Sequence, residues 1–179
     1  MILLQTRRLI LRNLEEGDVA VMFDYRNDPR CARYQRGQNK ARNQIEALIA
    51  RRKNDVLCAD GNCMMGLALK DTGELVGEII VMPAGDSFSL GYTIHYRHHR
   101  QGYAFEALSA LIQHLHGAFP QREILCFVDP QNRPSCGLLR KLDFEEVGYL
   151  PAMESLLFGK WVYPETRQDV LQIQKQYER

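Results

Sequence analysis

The chain has 179 residues, 45% of them hydrophobic, and a formal net charge of +1, the profile of one globular unit long enough to bury a full core. A balance so near zero gives no footing for a nucleic-acid partner or an acidic tail, and no apolar run approaches the roughly 18–20 residues of a membrane span. Arg7, Arg8 and Arg12 interrupt any signal-peptide core, and five cysteines without framework spacing suit a reducing cytoplasm.

Residues 6–12 read as a first strand, with Leu9 and Leu11 on one face and Arg8, Ile10 and Arg12 on the other. Residues 15–25 read as a helix with Val19, Met22 and Phe23 as its buried stripe, stopped by Asp28 and Pro29. After a polar, irregular stretch at 30–39, a second helix at 41–53 turns Ile45, Leu48 and Ile49 inward. Strands at 63–69 and 75–82 are joined by a hairpin turn ending in Gly73, and residues 83–86 turn into a third strand at 88–94. Short turns between three consecutive strands imply an antiparallel meander. A basic loop at 96–103 follows, then a helix to residue 115 with Ala104, Leu108, Leu111, Ile112 and Leu115 on one face. A buried strand at 123–128, a helix at 132–141 and strands at 144–149 and 158–162 complete the pattern. Met64, Met65, Phe127 and Phe144 are expected in the core, and Trp161 faces either the core or an acceptor site.

We therefore expect one domain over residues 1–163 and a helical extension or tail over 164–179. Proline is tolerated in a first helical turn, and Val170, Ile173 and Tyr177 make one narrow apolar stripe. Such a helix either docks, on its own domain or on a second copy, or frays.

The most informative stretch is 88–115, a strand, a basic loop and a helix start. The first amide N–H groups of a helix have no internal partner, and the macrodipole adds positive charge there. Gly102 has no Cβ and lets a ligand approach its backbone, while Arg97 and Arg100 add full charges. The stretch suits a pyrophosphate. It has neither the Lys-Ser/Thr of a Walker loop nor the three glycines of a dinucleotide fingerprint.

Residues 99–104, His-Arg-Gln-Gly-Tyr-Ala, resemble the coenzyme A loop of the GNAT acyltransferases, Gln/Arg-x-x-Gly-x-Gly/Ala. Residues 102–107, Gly-Tyr-Ala-Phe-Glu-Ala, and the opening 6–12 resemble the ribosomal-protein-alanine N-acetyltransferase branch, and the order of elements is similar to that of a GNAT domain. The resemblance implies an α+β, three-layer fold: a mixed, mainly antiparallel sheet flanked by helices, the two early ones walling the acceptor site. It implies an acetyl-CoA-dependent N-acetyltransferase acting on a primary amine, either a protein N-terminus or a small molecule, by direct attack in a ternary complex. A monomeric or homodimeric cytoplasmic enzyme without metal, membrane or direct nucleic-acid contact is expected, the alternative being a non-catalytic acyl-CoA-binding module of the same fold.

The resemblance places the coenzyme on Arg100, Gln101, Gly102, Tyr103 and Ala104, with pantetheine amides pairing like an added strand along Tyr92, Thr93 and Ile94. Asn132 caps the helix at 132–141 and Ser135 lies one turn in; they match the branch's Asn-x-x-Ser, which implies contact with coenzyme A and a proton donor to its sulfur. Leu139 stands where many relatives carry an acidic tyrosine, so Ser135 is the expected donor. Ser89 stands where many carry a glutamate base. The resemblance instead implies Glu154, whose spacing after Phe144 is similar to that of a catalytic glutamate in ribosomal-protein acetylating members. Glu78, a common feature of these proteins, and His95, for its intrinsic pKa, are the other candidate bases. Glu106 complements the helix dipole. Cys136 lacks a placed histidine, which disfavours a covalent acyl-enzyme. His98 and His99 are adjacent, too close in sequence to converge on one ion.

Overall fold

The computed structural model describes residues 1–38 and 40–177. Its elements are β1 (Ile2–Gln5), β2 (Leu9–Arg12), α1 (Val19–Asn27), α2 (Pro29–Ala32), α3 (Arg42–Arg52), β3 (Cys63–Leu69), β4 (Leu75–Ala84), β5 (Ser87–Ile94), α4 (Tyr103–Ala118), β6 (Glu123–Val128), α5 (Arg133–Lys141), β7 (Glu145–Leu150), β8 (Ser155–Lys160) and α6 (Pro164–Tyr177). The eight strands form one sheet in the order β1-β2-β3-β4-β5-β6-β8-β7. Every neighbouring pair is antiparallel except β5 and β6. This is the mixed, mainly antiparallel sheet flanked by helices that the sequence led us to expect.

Strand alternation assigns the two faces. Leu9, Leu11, Cys63, Met65 and Leu67 join Leu108, Leu111, Ile112 and Leu115 of α4 and Leu139 of α5 in one core. Met64 and Leu75 join Met22 and Tyr25 of α1 and Ile45, Leu48 and Ile49 of α3 in another. The sheet thus lies between two helical layers.

Several local expectations are corrected. The first strand is a hairpin: residues 2–5 form β1, pairing with β2 around a turn at 6–8. In α1, Phe23 is 42% exposed, and Tyr25 and Arg26 are buried instead. Ala107 takes the place expected of Ala104 in the buried stripe of α4. Phe127 is 39% exposed, because it alternates outward between buried Cys126 and Val128. The last strand starts at Ser155 and ends at Lys160, where Trp161 takes a left-handed φ of 56°. The Trp161 ring stacks on His116, centroids 3.8 Å apart, some 20 Å along α4 from its start at 1.5 Å per residue.

Helix α6 packs on β7 and β8: Val170 is buried with Leu150 and Leu157, and Ile173 leans on them. Buried Glu123, at the start of β6, accepts hydrogen bonds from Tyr163 N–H and from Thr166 Oγ1 at 3.0 Å. Its carboxylate therefore serves the N-terminus of α6, where backbone donors lack internal partners.

The feature that positions the site is a fork. The parallel pairing of β5 with β6 covers only Ser87 with Glu123, Phe88 with Ile124 and Ser89 with Leu125. Beyond it β5 stays with β4 as far as Ile94, and β6 stays with β8 as far as Val128. Each strand is held by its other neighbour, so the two part and their facing edges are left without a shared backbone ladder.

Candidate active site

One arm of the fork ends in the basic loop. Arg100 and Gly102 both take left-handed backbone angles, φ 60° and 81°, and Gly102 is the N-cap residue of α4. Among the described residues, nothing accepts from the amide N–H groups of residues 100–104. The Arg97 and Arg100 side chains are exposed beside them. A Cβ on Gly102 would come within 3.3 Å of Arg8 Nη2, and the positive φ already disfavours a side chain.

The loop is braced from the β1–β2 turn. Arg8 donates from Nη1 to Gln101 O at 2.9 Å and from Nε to Glu106 Oε2 at 2.6 Å, and its guanidinium lies 4.5 Å from the centroid of the Tyr103 ring. Glu106 also accepts from Thr6 Oγ1 at 2.6 Å and from Arg8 N–H at 2.7 Å. Burial would raise the Glu106 pKa, but the bonds from Thr6 and Arg8 outweigh it and hold the carboxyl below its ordinary value. Glu106 thus fastens the hairpin to the helix, a stronger commitment than complementing a dipole. Gln101 Nε2 donates back to Arg97 O at 3.1 Å.

The histidines are engaged one by one. His95 Nε2 lies 3.1 Å from Asp24 Oδ2, and His95 Nδ1 accepts from Arg97 N–H at 3.1 Å. His98 Nε2 lies 3.1 Å from Glu74, and His99 Nε2 lies 2.8 Å from Ile94 O. Among the described residues, no group of three or more His, Cys, Asp or Glu side chains is placed to hold a metal ion.

Across the fork, Tyr92 of β5 and Ser135 of α5 meet hydroxyl to hydroxyl at 2.6 Å. Asn132 caps α5, its Oδ1 accepting from Ser135 N–H at 3.2 Å. Leu139, where a tyrosine was sought, is buried in the core. Cys136 is also buried, and burial raises its thiol pKa. Cys31, beside the fork, is pushed up by burial to about 11. Neither thiol is set up as a nucleophile.

Residues 33–38, read from sequence as irregular, form a strap that touches each wall of the fork with a different side chain. Tyr34 Oη donates to Gln131 O at 3.1 Å and Gln35 Nε2 to Tyr92 O at 3.1 Å. Arg36 Nη1 donates to Met153 O at 2.6 Å, and its Nη2 stands 3.9 Å from both Asp129 and Glu154 carboxylates. Gln38 Nε2 reaches Glu78 at 3.1 Å and Thr93 Oγ1 at 3.2 Å. The carbonyl of Ile94 accepts from Cys31 Sγ–H at 3.3 Å as well as facing His99. The β5 edge expected to stand open is therefore bridged by the chain's own side chains at Tyr92 and Ile94.

The two carboxylates among the three candidate bases differ sharply. Glu78 is 4% exposed and lies opposite Thr93 in the sheet. It accepts from Arg26 Nη2 at 2.7 and 2.8 Å, from Tyr25 Oη at 2.7 Å and from Gln38. Removing one partner of such a buried pair typically costs about 3–5 kcal/mol. Glu154 is on the rim, its side chain 79% exposed, in a left-handed turn with φ 46°. Arg36 brings it near the β6–α5 loop that carries Asp129. Sequence reasoning passed over Tyr25, Arg26, Gln35 and Gln38. A signal existed for one: Arg26 lies a helical turn beyond Met22 on the buried stripe, and Glu78 interrupts an apolar strand, which calls for a partner.

A sheet forked between its two parallel strands, with unbonded helix amides on one arm and a hydroxyl on the other, defines the acyltransferase class of GNAT architecture. Residues 8–145 match the acetyltransferase (GNAT) domain, and the chain belongs to that family. It is similar to the uncharacterized N-acetyltransferase p20 of Bacillus licheniformis, 28% identical over 155 residues, covering 82% of this chain and 84% of that one. The fold is shared with a GNAT-family acetyltransferase from Bacillus anthracis, TM-score 0.73 at 19% identity, covering 89% and 95% of the two chains. It is shared equally with RimL, a ribosomal L7/L12 α-N-protein acetyltransferase solved with coenzyme A, TM-score 0.73 at 14% identity over 89% and 97%.

Proposed function

We propose that this family member is an acetyl-CoA-dependent N-acetyltransferase that acetylates a primary amine, a protein N-terminus or a small molecule, by direct transfer in a ternary complex. The observation that carries this reading is the placement of the Ser135 hydroxyl across the fork from the unbonded amides of residues 100–104. Those amides, with the Arg100 side chain, suit a pyrophosphate; Gly102 keeps the approach open, and Tyr103 and Ala104 start the helix whose dipole favours an anion. Tyr92, Thr93 and Ile94 offer the strand edge on which pantetheine amides would pair, and Asn132 orients the first turn of α5. When bound, acetyl-CoA supplies an acetyl group on a thiolate leaving group. Ser135 acts there as a hydrogen-bond donor to the sulfur, since a serine hydroxyl is too weak an acid to give up its proton outright.

Of Glu78 and Glu154, only Glu154 is open to solvent, and we assign it the proton leaving the amine. Glu78, already holding Arg26, Tyr25 and Gln38, organises the strap. The buried, high-pKa thiols of Cys31 and Cys136 favour direct attack over an acyl-enzyme. The test is release of free thiol from acetyl-CoA with N-terminal peptides and small amines. Ser135→Ala is expected to lower kcat about 10- to 100-fold with coenzyme A affinity within about two-fold, since the hydroxyl matters most as charge reaches the sulfur. Gly102→Val is expected to abolish the rise in melting temperature that coenzyme A gives the parent. Coenzyme A binding with no thiol release for any amine would instead favour the non-catalytic binding module.

A further inference from the structure

We infer that Tyr92 is a positioning residue: it holds the Ser135 hydroxyl with its proton turned toward the fork, an inference that rests on the acetyltransferase reading above. The two oxygens are 2.6 Å apart, at the short end for hydroxyl pairs. Among the described residues, each hydroxyl has the other as its one hydrogen-bond partner. They come from opposite arms of the fork, Tyr92 three residues past the last β5–β6 pair and Ser135 in the first turn of α5.

A serine hydroxyl carries one proton and two lone pairs, so the pair has two arrangements. If Ser135 donates, its proton is spent and the tyrosine proton has no acceptor among the described residues. If Tyr92 donates, its proton is satisfied and that of Ser135 is free to point into the fork. Negative charge on a sulfur there selects the second arrangement, and the tyrosine bond polarises the serine further. Burial pushes the Tyr92 phenol well above its ordinary pKa, so it remains an O–H donor and no proton leaves it. The electron pair of the broken C–S bond stays on sulfur, Ser135 shares its proton with that sulfur, and Tyr92 shares its own with Ser135. The tyrosine on β5 thus takes up part of the task for which the family resemblance pointed to a tyrosine at position 139, where Leu139 is buried in the core.

Tyr92→Phe keeps the ring and removes only the O–H, so the fold is expected to melt close to the parent temperature. We expect kcat to fall about 5- to 20-fold with the KM for acetyl-CoA within about two-fold, and the Tyr92→Phe/Ser135→Ala double variant to be no slower than Ser135→Ala alone. A second readout needs no acceptor: the ultraviolet absorbance of the thiolate reports the pKa of protein-bound coenzyme A. Tyr92→Phe should raise that pKa by about half to one unit relative to the parent complex, while leaving it unchanged when Ser135 is already alanine. Additive losses in the double variant, or a bound-thiol pKa indifferent to Tyr92, would overturn the inference. A parent protein that does not bind coenzyme A would take both readings down. A Tyr92-dependent thiol pKa without acetyl transfer to any amine would refute the transferase reading alone.

Discussion

His95 has no free ring nitrogen. Nδ1 accepts from Arg97 N–H, so the proton sits on Nε2 and is donated to Asp24. Burial, the largest cause, lowers the His95 pKa from the usual 6.5, against the pull of Asp24. A second proton on Nδ1 would also set two N–H groups against each other. The folded protein thus takes up that proton less readily than the unfolded chain. Its contribution to stability is present above the unfolded value near 6.5 and is lost as pH falls through that value toward the lower folded one. The melting temperature is expected to drop more steeply between about pH 7 and 5 in the parent than in His95→Gln, with thermal scans across that range as the check. Equal slopes would show that another group titrates. The intrinsic pKa that made His95 a candidate base is visible in sequence; the two bonds that occupy its nitrogens are not.

The pattern of strands and helices was largely legible because most elements bury one face. Alternation in β2 and the 3.6-residue stripes of α3 and α4 each mark that face, and the buried residues follow it. The misreadings share a cause. Thr6, Arg7 and Arg8 turn the chain without a glycine or proline, because Glu106, about a hundred residues on, accepts three hydrogen bonds there. Arg26 outranks Phe23 for burial because Glu78 waits on the sheet. Long-range partners of this kind leave no local period. Helix α6 belongs to the same set: its stripe was readable, but its dependence on Glu123 was not. Glu123→Ala removes the acceptor for Tyr163 N–H and Thr166 Oγ1, and is expected to cost about 1–2 kcal/mol, a typical loss for a capping group. Deleting residues 164–179 uncovers Leu150 and Leu157 as well, and should lower the melting temperature further. Denaturation of both variants checks the order of the losses.

At the scale of the molecule, the strap knits together parts of the chain that backbone pairing leaves separate. Its side chains reach β5, the loop before α5 and the turn between β7 and β8, so they join the arms that the fork drives apart. The order of elements, the loop motif and the strand edge at Tyr92 were readable in sequence, whereas the fork comes from the short β5–β6 pairing and its bridging from partners such as Gln35 and Tyr92, 57 positions apart.

The amide of Gln35 donates to the Tyr92 carbonyl, and a pantetheine amide pairing along the same edge would compete for it. On the acetyltransferase reading the side chain would be a built-in rival for one rung of the ligand's ladder, and the dissociation constant for coenzyme A would combine two equilibria, release of the rung and its occupation. Only the fraction of molecules with Gln35 turned away would be competent, so the apparent constant would exceed the intrinsic one by the reciprocal of that fraction. Gln35→Ala should therefore bind coenzyme A more tightly, by about 2- to 10-fold for one neutral hydrogen bond, with the gain in the association rate. Titration calorimetry and stopped-flow mixing of the two proteins read both quantities, and weaker binding by the variant would make Gln35 a ligand contact instead. On the acetyltransferase reading, a coenzyme that must first displace Gln35 arrives more slowly than one that meets a bare edge, and the affinity forgone keeps the Tyr92 carbonyl satisfied in the meantime.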